Sequence, residues 1–293
     1  LDKKNYILTD ISVIKKVMSE HNVTFSKGLG QNFLVNPTVC PRMAEAVKMG
    51  ATKKFGVLEI GAGVGVLTKE LLERADKVVC IELDTRLFPV LNDTLAGYDN
   101  LTLINEDVLK ADLQGIINEH FDDMEVFVCA NLPYYITSPV IMRLLEEKLP
   151  FNKIIVMVQR EAGDRLCAKV GTRESGAVTV AVNYYAQAKK LFDVSRGSFM
   201  PAPNVDSCVI ELDLTKRGDY NVTDEKVFFR MVKSAFAQRR KTILNSLSSG
   251  MGIEKSLISK AVEMAELSPT ARAEALTMEQ LVLLSNKICE VTK

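Results

Sequence analysis

Asn131, Leu132, Pro133 and Tyr134 close an apolar run, VFVCA, in a polar and aromatic corner. An Asn amide oxygen and the neighbouring backbone carbonyl together accept both hydrogens of an exocyclic amine, while an aromatic ring stacks on the base that carries it. An adenine held through its N6 group presents that pattern of donors and π-face. An ordinary strand-ending turn with two tyrosines at its rim is the plainer explanation of the same tetrapeptide, so the choice depends on residues elsewhere in the chain.

Three upstream segments carry cofactor-binding chemistry. Gly61, Gly63 and Gly65 in GAGVG follow the apolar run GVLEI and precede a helical pattern through Leu71 and Leu72, which lets backbone approach a ligand closely at a helix N-terminus. Glu82 stands at the end of the next run, KVVCIEL, where a carboxylate can accept both hydroxyls of a ribose, and Asp107 ends a third, LTLINED. A tight turn or a surface carboxylate would explain each of these singly. Gly61, Glu82, Asp107 and Asn131 at four successive strand ends fit one adenosine-containing cofactor laid across the carboxyl edge of a parallel sheet. Dinucleotide-dependent dehydrogenases share the first half of the pattern, but Val66 stands at their third glycine, Gly65 falls one place early, and they give NLPY no role. Methyl transfer from S-adenosylmethionine accounts for both halves.

The elements around these positions imply an α/β chain with a helical tail. Asp10 to Glu20 has helical apolar spacing with Asp10 or Ser12 as cap, and Ser26 to Pro37 is a glycine-hinged segment, either a connecting loop or a lid whose Asn32 and Leu34 close over a ligand. After the strand KIIVMVQ and a polar helix through Arg160 and Arg165, FMPAPNVDSCV uses two prolines to set an extended approach to a last strand. Phe199 there is either a core anchor or a second aromatic wall opposite Tyr134. Beyond the polar linker TKRGDYN every pattern is helical, which predicts an α/β methyltransferase domain over 1–214, with a lid over 1–37, and an all-helical domain over 215–293. Arg239, Arg240 and Lys241 lie between two of those helices, either as a solvated helix end or as a phosphate-binding, RNA-binding cluster.

Composition narrows the class without choosing it. Lys plus Arg and Asp plus Glu balance at 37 each, so nucleic-acid affinity has to come from local patches. The six cysteines show no CxxC spacing and read as reduced, mostly buried thiols; no metal site is expected, and the two histidines lie in no catalytic motif. The polar first residues and the absence of a long apolar run point to a cytoplasmic protein with no membrane contact, and the start at Leu1 implies that a native start or short leader precedes it.

In order along the chain, LGQNFL, VLEIGAGVG, IELD, NEDVL, NLPYYITSP, FMPAPNVDS and FAQRRKT closely resemble the rRNA adenine N6,N6-dimethyltransferase family, over almost the whole sequence. The resemblance implies a Rossmann-like S-adenosylmethionine-dependent fold and a smaller C-terminal helical domain. It implies dimethylation of two adjacent adenosines near the 3′ end of small-subunit rRNA, performed by a monomer on an immature small ribosomal subunit during ribosome biogenesis. Carried over residue by residue, Asn32, Leu34, Gly61, Glu82, Asp107 and Asn131 are cofactor contacts; Asn131, Leu132 and Tyr134 of NLPY clamp the adenine amine, with Phe199 as the opposing stack. Ser175 departs from the Tyr usual in the family. Macrolide-resistance enzymes, which dimethylate an adenosine of large-subunit rRNA, share much of the N-terminal half but generally have a shorter second domain without FAQRRKT. A non-catalytic RNA-binding assembly protein on the same fold is the alternative of a different class, against which the intact NLPY and cofactor acids argue.

Overall fold

The computed structural model describes residues 6–24, 32–238 and 240–292. The chain divides into two compact units, the first from Leu1–Gly163 with Lys189–Thr215, the second from Asp164–Ala188 with Lys216–Lys293.

The strands are β1 (Phe33–Leu34), β2 (Phe55–Ile60), β3 (Lys77–Glu82), β4 (Leu101–Asn105), β5 (Glu125–Asn131), β6 (Phe151–Gln159), β7 (Gln187–Val194), β8 (Phe199–Met200) and β9 (Ser207–Asp213); the central ones are short apolar runs, while β7 is largely polar. Seven of them make one sheet in the order β4-β3-β2-β5-β6-β9-β7, while β1 pairs with β8 alone. Strands β4, β3, β2, β5 and β6 pair in parallel, and β9 is antiparallel to β6. Helices α1 (Ile11–Glu20), α2 (Val39–Lys48), α3 (Val66–Leu72) and α4 (Phe88–Thr94) bring Ile14, Met43, Leu71 and Leu91 into one cluster with Val57, Val78, Phe127 and Ile155 of the sheet. The alternate strand residues Leu58, Val79, Val128 and Ile154 are equally buried, as are Leu113 and Ile117 of α5 (Leu113–His120) and Val140, Ile141 and Leu144 of α6 (Thr137–Glu146). Both faces of the sheet are therefore covered, which is why its central strands read as unbroken apolar runs.

Local chemistry sets the starts of the helices. Asp10 caps α1 by accepting from the Ser12 N–H at 2.7 Å, and Gly65, in the left-handed conformation with φ +91°, turns the chain into α3. The turn from α7 (Arg160–Leu166) leads toward α8 (Ala177–Tyr185), which is helical although rich in β-branched residues. Thr179 explains the start of α8: its Oγ1 accepts from the Gly176 N–H at 3.0 Å and donates to the Arg165 carbonyl at 2.8 Å.

The second unit contains α8 with α9 (Glu225–Phe236), α10 (Ile243–Gly250), α11 (Lys255–Met264) and α12 (Met278–Val291) around Phe228, Met231, Ile243, Leu247, Ile258, Leu281 and Ile288. Val180 of α8 joins that core, and Tyr184 meets Phe228 with ring centroids 5.4 Å apart. Residues 164–188 thus group with the helical tail, whereas the sequence places them within 1–214; the aromatic side chains of α8 need the apolar surface of α9 to be buried.

Phe127 is fully buried beneath the cleft-forming edge and meets Phe55 edge-on at 5.8 Å. Phe127→Ala should cost roughly 3–5 kcal/mol and lower the melting temperature by about 10 °C, measured by thermal unfolding; a fall below about 2 °C would show that the sheet does not lean on this ring.

Candidate active site

The parallel strands of the first unit end in step, and their carboxyl ends open into one cleft with about 1120 Å³ of empty space including its mouth. Asn32 and Leu34, Gly61 and Gly63, Glu82, Asp107, Asn131, Leu132, Pro133, Tyr134 and Phe199 all line it. Gly65 does not: its missing Cβ would lie 3.1 Å from Leu95, so its conformation serves the entry into α3 and close packing on α4.

Gly61 has φ +77°, and a Cβ added there would meet no atom within 4 Å, so bare backbone faces the open cleft. Gly63, at φ +60°, donates its N–H to Glu82 Oε2 at 3.1 Å, and Asp84 donates its N–H to Glu82 Oε1 at 2.9 Å. Each carboxylate oxygen keeps lone pairs for a further donor such as a diol. Burial raises the Glu82 carboxyl above its ordinary range, opposed by the two backbone donors. The neighbouring Asp84 forms a bidentate pair with Arg86, Nε to Oδ1 at 2.8 Å and Nη2 to Oδ2 at 2.7 Å. Asp107 lies two residues beyond the end of β4, about one-third exposed; its Oδ1 accepts from the Leu109 N–H at 3.0 Å and Lys110 stands 3.8 Å from Oδ2.

The opposite wall is the end of β5. Asn131 Nδ2 donates to the Asn32 carbonyl at 3.5 Å, which directs its donor end to the N-terminal segment; among the described residues Oδ1 has no hydrogen-bond donor. The Leu132 N–H donates to the Met157 carbonyl at 3.2 Å, anchoring the corner to β6. Tyr134 shares a 2.8 Å hydrogen bond with the buried Ser207 hydroxyl, and burial raises its phenol, so the ring is a neutral, fixed surface. Phe199 is both things the sequence allows: only 4 % exposed and part of the core, it also lines the cleft. Residues 1–5 and 25–31 of the expected lid lie outside the described residues; Phe33–Leu34 beyond them is a strand paired with Phe199–Met200.

Glu59 belongs to the site although no sequence motif marks it and it sits inside an apolar strand. It lines the cleft, is 1 % exposed, and accepts from Cys80 Sγ at 3.1 Å. Burial, reinforced by the charge of Glu82, pushes its carboxyl up to about 7. The signal available in the sequence is a lone acid in GVLEI, a run that otherwise reads as fully buried. Elsewhere, Arg240 and Lys241 are exposed on the helical unit and Arg239 lies outside the described residues. Ser175, also in that unit, is buried in a turn where its Oγ donates to the Lys169 carbonyl at 3.0 Å and accepts from the Thr172 N–H at 3.1 Å. Five of the six cysteines are buried, and Cys167 is half-buried. Among the described residues no helix is long and apolar enough to cross a membrane.

A glycine turn, a strand-tip carboxylate and an Asn-Leu-Pro-Tyr corner on one Rossmann-like sheet edge define an S-adenosylmethionine-dependent methyltransferase. The family model for ribosomal RNA adenine dimethylase matches residues 22–288. A ribosomal RNA small subunit methyltransferase A of Bacillus licheniformis is 45 % identical over 281 residues, covering 94 % of this chain and 96 % of the relative. One from Bacillus cereus is 44 % identical, covering 94 % of each. The chain belongs to the ribosomal RNA adenine dimethylase family. Among solved structures, a dimethyladenosine transferase from Plasmodium falciparum shares the fold at TM-score 0.69 and 24 % identity, over 88 % of this chain and 98 % of that one. The 23S rRNA methyltransferase ErmE aligns at TM-score 0.63 and 25 % identity, over 88 % and 100 %.

Glu59 yields a pH prediction. Its carboxyl stays protonated up to about 7 in the folded chain but ionises near its ordinary value of 4.5 when unfolded. Between those values the native state binds the extra proton, so this group's contribution to stability falls as pH rises. Glu59→Gln should flatten that fall, seen as a smaller loss of urea midpoint from pH 5 to 8 than in the wild type. Equal losses in the two proteins would mean that Glu59 ionises normally.

Proposed function

We propose that this chain transfers methyl groups to N6 of two adjacent adenosines near the 3′ end of small-subunit rRNA, acting as a monomer on an immature subunit, with the first unit catalytic and the helical unit contacting RNA. Membership of the adenine dimethylase family and the small-subunit methyltransferases 44–45 % identical to it support that target over the large-subunit one. The observation that supports the chemical reading is that Asn131, whose Nδ2 donates to the Asn32 carbonyl, lines the cleft beside Leu132, Pro133 and Tyr134.

Glu82 would hold the ribose hydroxyls of S-adenosylmethionine, Asp107 the adenine edge, and the backbone at Gly61 and Gly63 with Asn32 and Leu34 the remainder. Bound there, the cofactor would supply a methyl group made electrophilic by its sulfonium, the carbon–sulfur bond breaking as the bond to nitrogen forms and a neutral thioether being left. The target adenosine must leave its stack to reach the cleft. Asn131 Oδ1 and the Leu132 carbonyl then accept the two N6 hydrogens, Pro133 fixes the turn between them and Tyr134, and Tyr134 and Phe199 hold the ring. Those acceptors favour a pyramidal nitrogen whose lone pair is withdrawn from the purine and aimed at the methyl carbon. Neither is basic enough to keep a proton, so the one released leaves to water. After the first transfer a single N6 hydrogen remains, and the amine must turn for the second. Positioning supplies most of the acceleration. On the helical unit, Arg239, Arg240 and Lys241 would contact phosphates.

Asn131→Ala removes one acceptor and leaves the Leu132 carbonyl and the Tyr134 ring, so single-turnover transfer to immature subunits, with cofactor saturating, should slow by about 10²-fold or more while subunits still bind. Transfer at the wild-type rate would return NLPY to a strand-ending turn. Replacing Arg239, Arg240 and Lys241 with Ala should weaken RNA binding and lower the slope of log affinity against log salt by roughly 0.7–0.9 for each phosphate left without its cation, with cofactor affinity unchanged. An unaltered slope would make the cluster a solvated helix end.

A further inference from the structure

Tyr135, the residue after the clamp, is 58 % exposed and lines the cleft at its mouth. Its backbone is fixed on both sides. Tyr134 is tied to Ser207, the Ile136 N–H donates to the Pro133 carbonyl at 3.1 Å, and Thr137 Oγ1 donates to the same carbonyl at 3.3 Å as α6 begins. Among the described residues the Tyr135 ring meets no hydrogen-bond partner and no second ring. Scattered surface aromatics are ordinary, but this one stands more than half exposed on an anchored stretch of backbone, one residue from the ring assigned to the extruded base. Leu83, the other exposed apolar side chain at the mouth, has no π-face.

Extruding one nucleotide unstacks its neighbours, and single-stranded RNA is gripped by stacking on aromatic rings. We propose that Tyr135 is the stacking platform for the base next to the adenosine in the cleft. This rests on the adenine reading of the cleft. Because the substrate carries two adjacent adenosines, in one of the two binding registers that neighbour is the other target adenine. Tyr135 would then hold the next substrate, or the product just formed, beside the pocket.

The test uses the full chain with small subunits from cells lacking the modification, comparing wild type with Tyr135→Phe, Tyr135→Leu and Tyr135→Ala by steady-state kinetics, with S-adenosylmethionine affinity measured by calorimetry. Tyr135→Ala and Tyr135→Leu should raise KM for subunits about tenfold, within what one base–aromatic stack supplies, with kcat and cofactor affinity held within about twofold. Tyr135→Phe, which keeps the ring, should retain the wild-type KM. A wild-type KM in the leucine variant, or a tenfold rise in the phenylalanine variant, overturns stacking. No transfer by the wild type would overturn the adenine reading instead, and the role of Tyr135 with it.

Discussion

The cleft depends on one constraint, the parallel register of β3, β2 and β5. Ile60 pairs with Ile81 and Glu59 with Cys129, so the chain leaves the sheet at Gly61, Glu82 and Asn131 along a single edge. Side chains alternate along a strand, and a slip of one residue in β3 would turn Glu82 to the opposite face and break its bond from Gly63. Val57, Val78 and Phe127 face one helical layer and Leu58, Val79 and Val128 the other, so the strands are held between two apolar layers below the polar edge.

Two carboxyl groups at this edge differ through their surroundings. Glu82 accepts two backbone N–H groups and keeps lone pairs turned to the cleft, which supports an anion despite burial. Glu59 is fully buried, with the Thr68 hydroxyl and the weak Cys80 thiol opposing the effect of burial and Glu82 as a neighbouring negative charge, and it retains its proton to about 7. Two buried charges so close would repel each other and both lack water. Keeping one neutral lets the other be charged where a ribose would reach it, and a neutral acid can itself donate a hydrogen bond.

Much of the first unit is legible in the sequence because its signals are local. Apolar runs ending in glycine or an acid mark parallel strands, and the spacing of the four tail helices, Val227 to Ile288, follows directly from their apolar stripes. What is not legible depends on distant contacts. Residues 164–188 join the helical unit because Val180 and Tyr184 find their burial on α9, and nothing in SGAVTVAVNYY announces that partner. Gly65 carries the motif but turns its back on the cleft, since only the folded chain brings Leu95 against it. Glu59 is hidden by the strand around it. The pairing of Phe33–Leu34 with Phe199–Met200 joins segments about 166 residues apart, a reach no short motif encodes.

The corner also explains why residue 131 is an amide and not an acid. An aspartate would accept an amine hydrogen more strongly, since charge-assisted hydrogen bonds are roughly twice as strong as neutral ones. It would, however, set a second oxygen against the Asn32 carbonyl, where Asn131 now donates at 3.5 Å, and replace a tether by a repulsion. It would also add another anion to an edge that already carries Glu82 and Asp107 and holds Glu59 neutral. On the proposed reading a neutral amide would accept the amine hydrogen without adding charge or repulsion, while its donor end stays on the Asn32 carbonyl.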